Sequence, residues 1–288
     1  MRQRPFKQID VFSHRPGDGN PLAVVLDAQG LDDADMRRFA AWTNLSETSF
    51  LLPPTEAGRT AGADYRVRIF TPRGTELPFA GHPTLGTCHA WLETGHVPRD
   101  AGLVVQESAG GLVRIQRSGE RLAFAAPPLH RSDASPALVP LIAGALGIRP
   151  QQIAAAQLLD NGPRWLGLVL DSAETVHRLR PDHARLKDLG QDVGVIHVGA
   201  DAHDATQPGV VVRAFAAPMG NPEDPVTGSL NASFAQWLIA EGRAPHSYLV
   251  AQGESLGRAG RVHIRQDAQG QVWVGGRSLT CIEGTARL

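Results

Sequence analysis

The sequence predicts an α+β protein built from two pseudo-equivalent domains, and three observations carry that reading. Strand-like and helical segments alternate along the whole chain. Short matches recur in the same order in the two halves: Arg68-Ile69-Phe70 with Arg213-Ala214-Phe215, then Pro83, Gly86 and Thr87 with Pro225, Gly228 and Ser229. Gly111-Leu112-Val113-Arg114-Ile115 with Gly260-Arg261-Val262-His263-Ile264 completes the series. Each half also holds a Gly/Pro-rich loop that turns into an apolar helix, and duplicated halves imply a cleft between them.

The elements are expected in this order. Ile9–Phe12 and Leu22–Leu26 read as strands around a loop dense in turn formers. Leu31-Asp32-Asp33 opens a helix to about Asn44, with Met36, Phe39, Ala40 and Thr43 on one face. Leu45–Leu52 is extended, and Tyr65–Thr71 alternates as a strand. A helix from about Pro83 to Glu93 follows the loop ending at Gly81, and a hairpin turns around Gly110-Gly111. Leu122–Ala125 is a further strand, and Pro127–Pro136 is the candidate linker, dividing residues 1–126 from 127–288. The last strand is a candidate to return to the first domain. Beyond the linker, Ala137–Leu146 reads as helix ended by Gly147, and Trp165–Leu170, Val193–Val198 and Gly209–Phe215 as strands.

Composition excludes several classes. The chain of 288 residues is 42% hydrophobic and 20% charged, as in ordinary globular proteins. A formal net charge of -1 argues against nucleic acid and anionic membranes as partners. No apolar run has the length of a membrane span, and the N-terminus lacks the pattern of a signal peptide. Only Cys88 and Cys281 are present, which fits a reducing, cytoplasmic compartment. Lysine occurs only at Lys7 and Lys187, neither in a distinctive motif, which disfavours a pyridoxal phosphate enzyme. Gly81–Gly86 has the glycine spacing of a phosphate loop, but Thr87 stands where lysine is required. There is no Gly-x-Gly-x-x-Gly after a strand and no His-Glu-x-x-His, so no metal site is expected. Cys88 reads as a small core residue rather than a nucleophile.

The candidate chemistry lies at two helix starts. Asp224-Pro225 places a capping carboxylate before a proline suited to the first helical position, and His82-Pro83 copies the arrangement. Gly86 and Gly228 weaken a helix by about 1 kcal/mol each relative to Ala, which points to close approach of a ligand or another helix. Two helix N-termini facing a cleft would cradle an anion such as a substrate carboxylate. Backbone N–H groups near Thr84 and Thr227 are the expected donors, with Gly228 beside them. Glu47 is either a surface carboxylate or a general acid/base whose pKa is raised by partial burial; spacing alone does not choose.

At these residues the sequence resembles the PhzF family of phenazine-biosynthesis-like isomerases, within the diaminopimelate-epimerase-like fold. The resemblance rests on Asp10-Val11-Phe12, Gly19–Val25, Asn44–Phe50, Arg68–Pro72, Gly81–Gly86 and Glu223–Ser229. It implies two domains, each a curved mixed sheet or barrel wrapped around a central helix, with the active site in the interdomain cleft. It also implies a cofactor-free site and a homodimer. Carried over, Glu47 is the proton-transferring acid/base, His82, Asp224 and Ser229 complete the polar site, and Gly81 lines it. Related racemases on this fold use paired thiols; here Ala80-Gly81 and Asp224 stand at those places, which disfavours that chemistry. The expected activity is a proton shift on a small carboxylate-bearing substrate. The alternatives are a non-catalytic binder of small molecules and a racemase without thiols.

Overall fold

The computed structural model describes residues 2–288. Strands β1 (Gln3–Val11) and β2 (Asn20–Val25) precede helix α1 (Asp33–Thr43), β3 (Thr48–Leu52), α2 (Glu56–Thr60) and β4 (Tyr65–Phe70). Next come β5 (Glu76–Leu77), α3 (Gly81–Glu93), β6 (Leu103–Ser108), β7 (Gly111–Ser118) and β8 (Arg121–Ala125). Then follow β9 (His130–Asp133), α4 (Leu138–Leu146), β10 (Ile153–Asp160), β11 (Arg164–Leu170), α5 (Ala173–Arg178) and α6 (His183–Asp188). The remainder is β12 (Val193–Val198), β13 (Val210–Ala216), β14 (Asn221–Asp224), α7 (Gly228–Ala240), β15 (Ser247–Gln252), β16 (Gly260–Gln266) and β17 (Val272–Arg287). The architecture is α+β.

The chain forms two compact units, one comprising residues up to Ala125 together with Gly275–Leu288, the other Ala126–Val274. In the first, eight strands close a ring in the order β1-β2-β3-β4-β6-β7-β8-β17. The pairs β2–β3 and β4–β6 are parallel. Helix α3 packs against β1, β2, β3, β6 and β8, so it fills the barrel. Ten of its thirteen residues are buried, which is why its sequence shows no polar face. Gly86 is small for the same reason: a Cβ there would lie 2.6 Å from Leu22 Cδ2 and 2.9 Å from Val11 Cγ2. The close approach inferred from this glycine comes from the barrel's own wall.

In the second unit the strand order is β9-β10-β11-β12-β13-β15-β16, with β11–β12 and β13–β15 parallel. Eleven of the thirteen residues of α7 are buried. Gly167 on β11 lets the helix approach: a Cβ there would meet Phe234 Cε1 at 2.9 Å. The segment expected as a linker contains β9, which pairs antiparallel with β10. All four β9 residues are exposed, so no alternation marked them as a strand.

Both units carry one ionic device beside the central helix. Arg68 on β4 holds Glu76 on β5 through Nε and Nη2, at 2.7 and 2.6 Å. Arg213 on β13 holds Glu223 on β14 in the same bidentate way, both at 2.8 Å. The guanidinium carbons lie 5.0 and 5.1 Å from the ring centroids of Phe70 and Phe215, two residues further on. Each glutamate precedes a helix start, Gly81 or Gly228, by five residues.

Gly86→Ala is expected to destabilise despite the better helix propensity of alanine. Overpacking costs roughly 1–3 kcal/mol against a gain of about 1 kcal/mol, so chemical denaturation should show a net loss. Arg213→Met leaves Glu223 buried without its cation. The expected loss is about 3–5 kcal/mol by urea unfolding, because both side chains are only 6% exposed. Arg68→Met should cost less, since Glu76 is 26% exposed and water partly replaces the guanidinium.

Candidate active site

Both helix starts differ from the sequence expectation, in opposite directions: α3 begins two residues before Pro83 and α7 three residues after Pro225. Helix α3 begins at Gly81 with Ala80 as N-cap, so His82 and Pro83 are its second and third residues and His82 does not cap. Helix α7 begins at Gly228 with Thr227 as N-cap, and Asp224-Pro225 precedes the helix. The first four N–H groups of a helix have no partner inside it, so proline is tolerated at any of the early positions and does not mark the first. The repeat therefore aligns Gly81 with Gly228 and His82 with Ser229, rather than Pro83 with Pro225.

Asp224 does different work from a backbone cap. Its Oδ2 accepts the hydroxyl of Thr227 at 2.6 Å. Gln252 on β15 completes the fixture. Its Nε2 donates to Thr227 Oγ1 at 2.9 Å, while its Oε1 accepts Thr227 N at 3.1 Å and Asn231 Nδ2 at 2.9 Å. The first unit has a simpler version. Gln106 on β6 donates to Thr84 Oγ1 at 3.0 Å and accepts from Tyr65 OH at 3.0 Å. Thr84 N is bonded to Ala80 O at 3.1 Å, and Thr227 N to Gln252. Neither is a donor for an anion. The first-turn N–H groups of Gly81 and His82, and of Gly228 and Ser229, have no partner within their own helices.

Glu47 and His82 come together in the first unit. Glu47 immediately precedes β3, and its side chain is 17% exposed. The loop that carries it leaves α1 through Asn44 in the left-handed conformation and is bridged by Thr43 Oγ1 to Thr48 Oγ1 at 2.9 Å. Glu47 Oε2 lies 3.3 Å from Nε2 of the buried His82, a separation long for a hydrogen bond. Catalytic contacts are commonly loose before substrate arrives. On the other side of the ring, Asn20 Nδ2 lies 3.4 Å from His82 Nδ1. With the amide nitrogen as donor, Nδ1 accepts and the ring proton sits on Nε2, facing the carboxylate. Burial lowers the His82 pKa from 6.5 to about 3, so the ring is neutral at ordinary pH.

A second tier fixes Asn20. The buried Asp10 carboxylate accepts from Gly17 N at 2.8 Å and Gly19 N at 3.0 Å, which folds the loop ending at Asn20. Sequence reasoning gave Asp10 and Asn20 no role; their signal was a buried acid followed by Gly19-Asn20-Pro21. Cys88 is a core residue as expected, its thiol pushed up to about 12 by burial. Glu47, His82, Gly81 and Thr84 belong to the first unit, and Asp224, Thr227, Gly228 and Ser229 to the second. A surface cavity lined by Val169, Leu170, His197, Val198, Leu238 and Arg243 includes none of these residues.

A family model described as phenazine biosynthesis-like protein (PhzC-PhzF) matches residues 9–284. The chain belongs to this family. Antisense-enhancing sequence 1 of Schizosaccharomyces pombe is 35% identical to it, over 99% of each chain. The trans-2,3-dihydro-3-hydroxyanthranilate isomerase of Pseudomonas aeruginosa is 33% identical, over 97% of this chain and 98% of that one. A crystal structure of a PhzF-family protein from Bacillus anthracis covers 100% of both chains with a TM-score of 0.84 at 24% identity, a likeness of fold. This member of the phenazine biosynthesis-like family is an isomerase.

The buried imidazole gives a test that needs no substrate. Nuclear magnetic resonance of the His82 ring should show the Nε2–H tautomer and no titration between pH 5 and 8. Since the folded pKa is depressed, the unfolded chain binds the extra proton. The contribution to stability is therefore full above about 6.5 and is lost as pH falls toward about 3. Urea unfolding of His82→Gln should show a weaker loss between pH 7 and pH 5 than the unaltered protein.

Proposed function

We propose that this isomerase shifts a proton within a small carboxylate-bearing metabolite, without a cofactor, using Glu47 as the carrier. The observation that carries the reading is the approach of the half-buried Glu47 carboxylate to the neutral Nε2–H of His82. Glu47 takes a proton from a carbon beside an unsaturated, carboxylate-bearing system. The C–H electron pair delocalises into that system, and protonated Glu47 returns the proton to a different carbon. No net charge or oxidation state changes.

His82 acts in this scheme as a neutral hydrogen-bond donor that orients the carboxylate. A ring with a pKa near 3 is a poor carrier of the proton itself at neutral pH. The first-turn N–H groups of α3 are suited to the charge that develops on the substrate. Asp224, Thr227, Gly228 and Ser229 form a second polar cluster, in which Asp224 fixes the start of α7 and Ser229 offers a hydrogen bond to ligand. Lysine chemistry has no foothold: Lys7 is buried against Glu93 at 2.6 Å, and Lys187 is exposed on α6. The substrate named for the Pseudomonas aeruginosa relative, a hydroxylated dihydro-anthranilate, supports a ring carboxylate as the class. The homodimer and the cytoplasmic setting belong to the same proposal.

The test is solvent exchange in deuterium oxide, with trans-2,3-dihydro-3-hydroxyanthranilate as the first candidate. Glu47→Gln should slow deuterium incorporation and turnover by about 10²–10⁴-fold while ligand binding persists. Unaltered exchange in that variant would overturn the role of Glu47. Tight binding by the native protein with no exchange would assign it to the binding-protein class instead.

A further inference from the structure

Strand register identifies a second carboxylate in the position of Glu47. In the first unit Glu47 immediately precedes Thr48, which pairs with Ala23 of β2 and Phe70 of β4. In the second unit Asp192 immediately precedes Val193, which pairs with Leu166 of β11 and Phe215 of β13. Phe70 and Phe215 are the equivalent residues beneath the two guanidinium groups. Asp192 thus holds in its own sheet the place that Glu47 holds in the other.

The surroundings repeat as well. Asn20 Nδ2 approaches His82, the second residue of α3, and Asn161 Nδ2 donates at 2.9 Å to the carbonyl of Ser229, the second residue of α7. Asp192 lies two residues before Gly194, the period at which strand residues share a face. A Cβ on Gly194 would run into the side chain of Leu230, so this face is turned to the first turn of α7. Asp192 Oδ1 and Asn161 Oδ1 are buried and have no hydrogen-bond partner, and Asn161 is only 6% exposed. Burial raises the Asp192 carboxyl to about 6. Buried acceptors are normally satisfied, so Asn161 Oδ1 at the start of α7 and Asp192 Oδ1 on the sheet face turned to that helix mark a place where a ligand supplies donors.

We propose that Asp192 and Asn161 form a recognition subsite for a hydroxyl or amino group of the substrate, at the start of α7. The proposal rests on the reading of the chain as an isomerase of a ring carboxylate. Asp192 is here a specificity-determining residue.

Calorimetric binding of 3-hydroxyanthranilate and of benzoate, which lacks both donors, tests it. The native protein should prefer 3-hydroxyanthranilate by about tenfold or more, as a hydrogen bond to a buried charged acceptor warrants. Asp192→Asn should reduce that preference to about threefold or less with little change in benzoate binding, and Asp192→Glu should restore part of it. Thermal unfolding of each variant checks folding, and Glu47→Gln should keep the preference. A preference that survives in a folded Asp192→Asn protein, equal loss of both ligands, or native protein that binds neither would overturn the subsite. If the native protein fails to exchange deuterium yet Asp192→Asn abolishes the preference, the isomerase reading falls and the subsite stands.

Discussion

The bidentate pairing of an arginine on a sheet strand with a glutamate on the next short strand sets where each central helix begins. Strands β5 and β14 have two and four residues, too short to hold their place by backbone pairing alone. The guanidinium supplies a planar fork that fits one carboxylate in one orientation. Five residues later the chain must enter the sheet as helix, so the position of Glu76 or Glu223 is inherited by the first turn. The third arm of each arginine goes elsewhere. Arg68 Nη1 reaches Asp33 in the first turn of α1 at 2.7 Å and holds its carboxyl below the usual range. Arg213 Nη1 takes the carbonyls of Val176 and Leu179 at the end of α5, both at 3.1 Å. The same cation thus ties one layer of the fold through an acid at a helix start and the other through carbonyls at a helix end.

From that anchored start follows the electrostatics of the Glu47–His82 pair. The ring of His82 is placed inside a barrel, where desolvation outweighs the attraction of a nearby carboxylate and the neutral form prevails. A protonated imidazole would have formed an ion pair that held Glu47 ionised. A neutral N–H orients the carboxylate yet leaves it able to accept and release a proton. Asp10, Gly17 and Gly19 matter at one remove, since they hold the loop that presents Asn20, and Asn20 selects the tautomer.

Much of this fold was legible where local chemistry and tertiary structure agree. Tyr65–Phe70 alternates because one face is buried, Asp32 caps α1, and Gly147 ends α4 in the left-handed conformation. Helix α3 starts two residues before Pro83 because proline suits several early positions, and α7 starts three residues after Pro225, where Asp224 accepts the Thr227 hydroxyl instead of capping the backbone. Strand β9 was hidden by exposure on both faces. Glu47 stood out through its motif, whereas Asp192 carried no sequence signal. Its equivalence exists only in the register of β12 against β11 and β13, which no local pattern encodes.

Comparison of the two units shows how one scaffold can separate tasks. At the second helical position one copy has an imidazole and the other a serine; before the equivalent strand one has glutamate and the other aspartate. Glutamate is longer by one methylene and brings its Oε2 to 3.3 Å from the imidazole nitrogen, with its side chain 17% exposed. Aspartate is shorter, and the serine at the equivalent helical position has no ring to meet it. The same backbone geometry therefore presents a carboxylate beside an imidazole in one unit and a shorter carboxylate, with no imidazole at the equivalent helical position, in the other. The difference rests on side-chain length at two positions, while the Arg–Glu clamp keeps the framework constant in both.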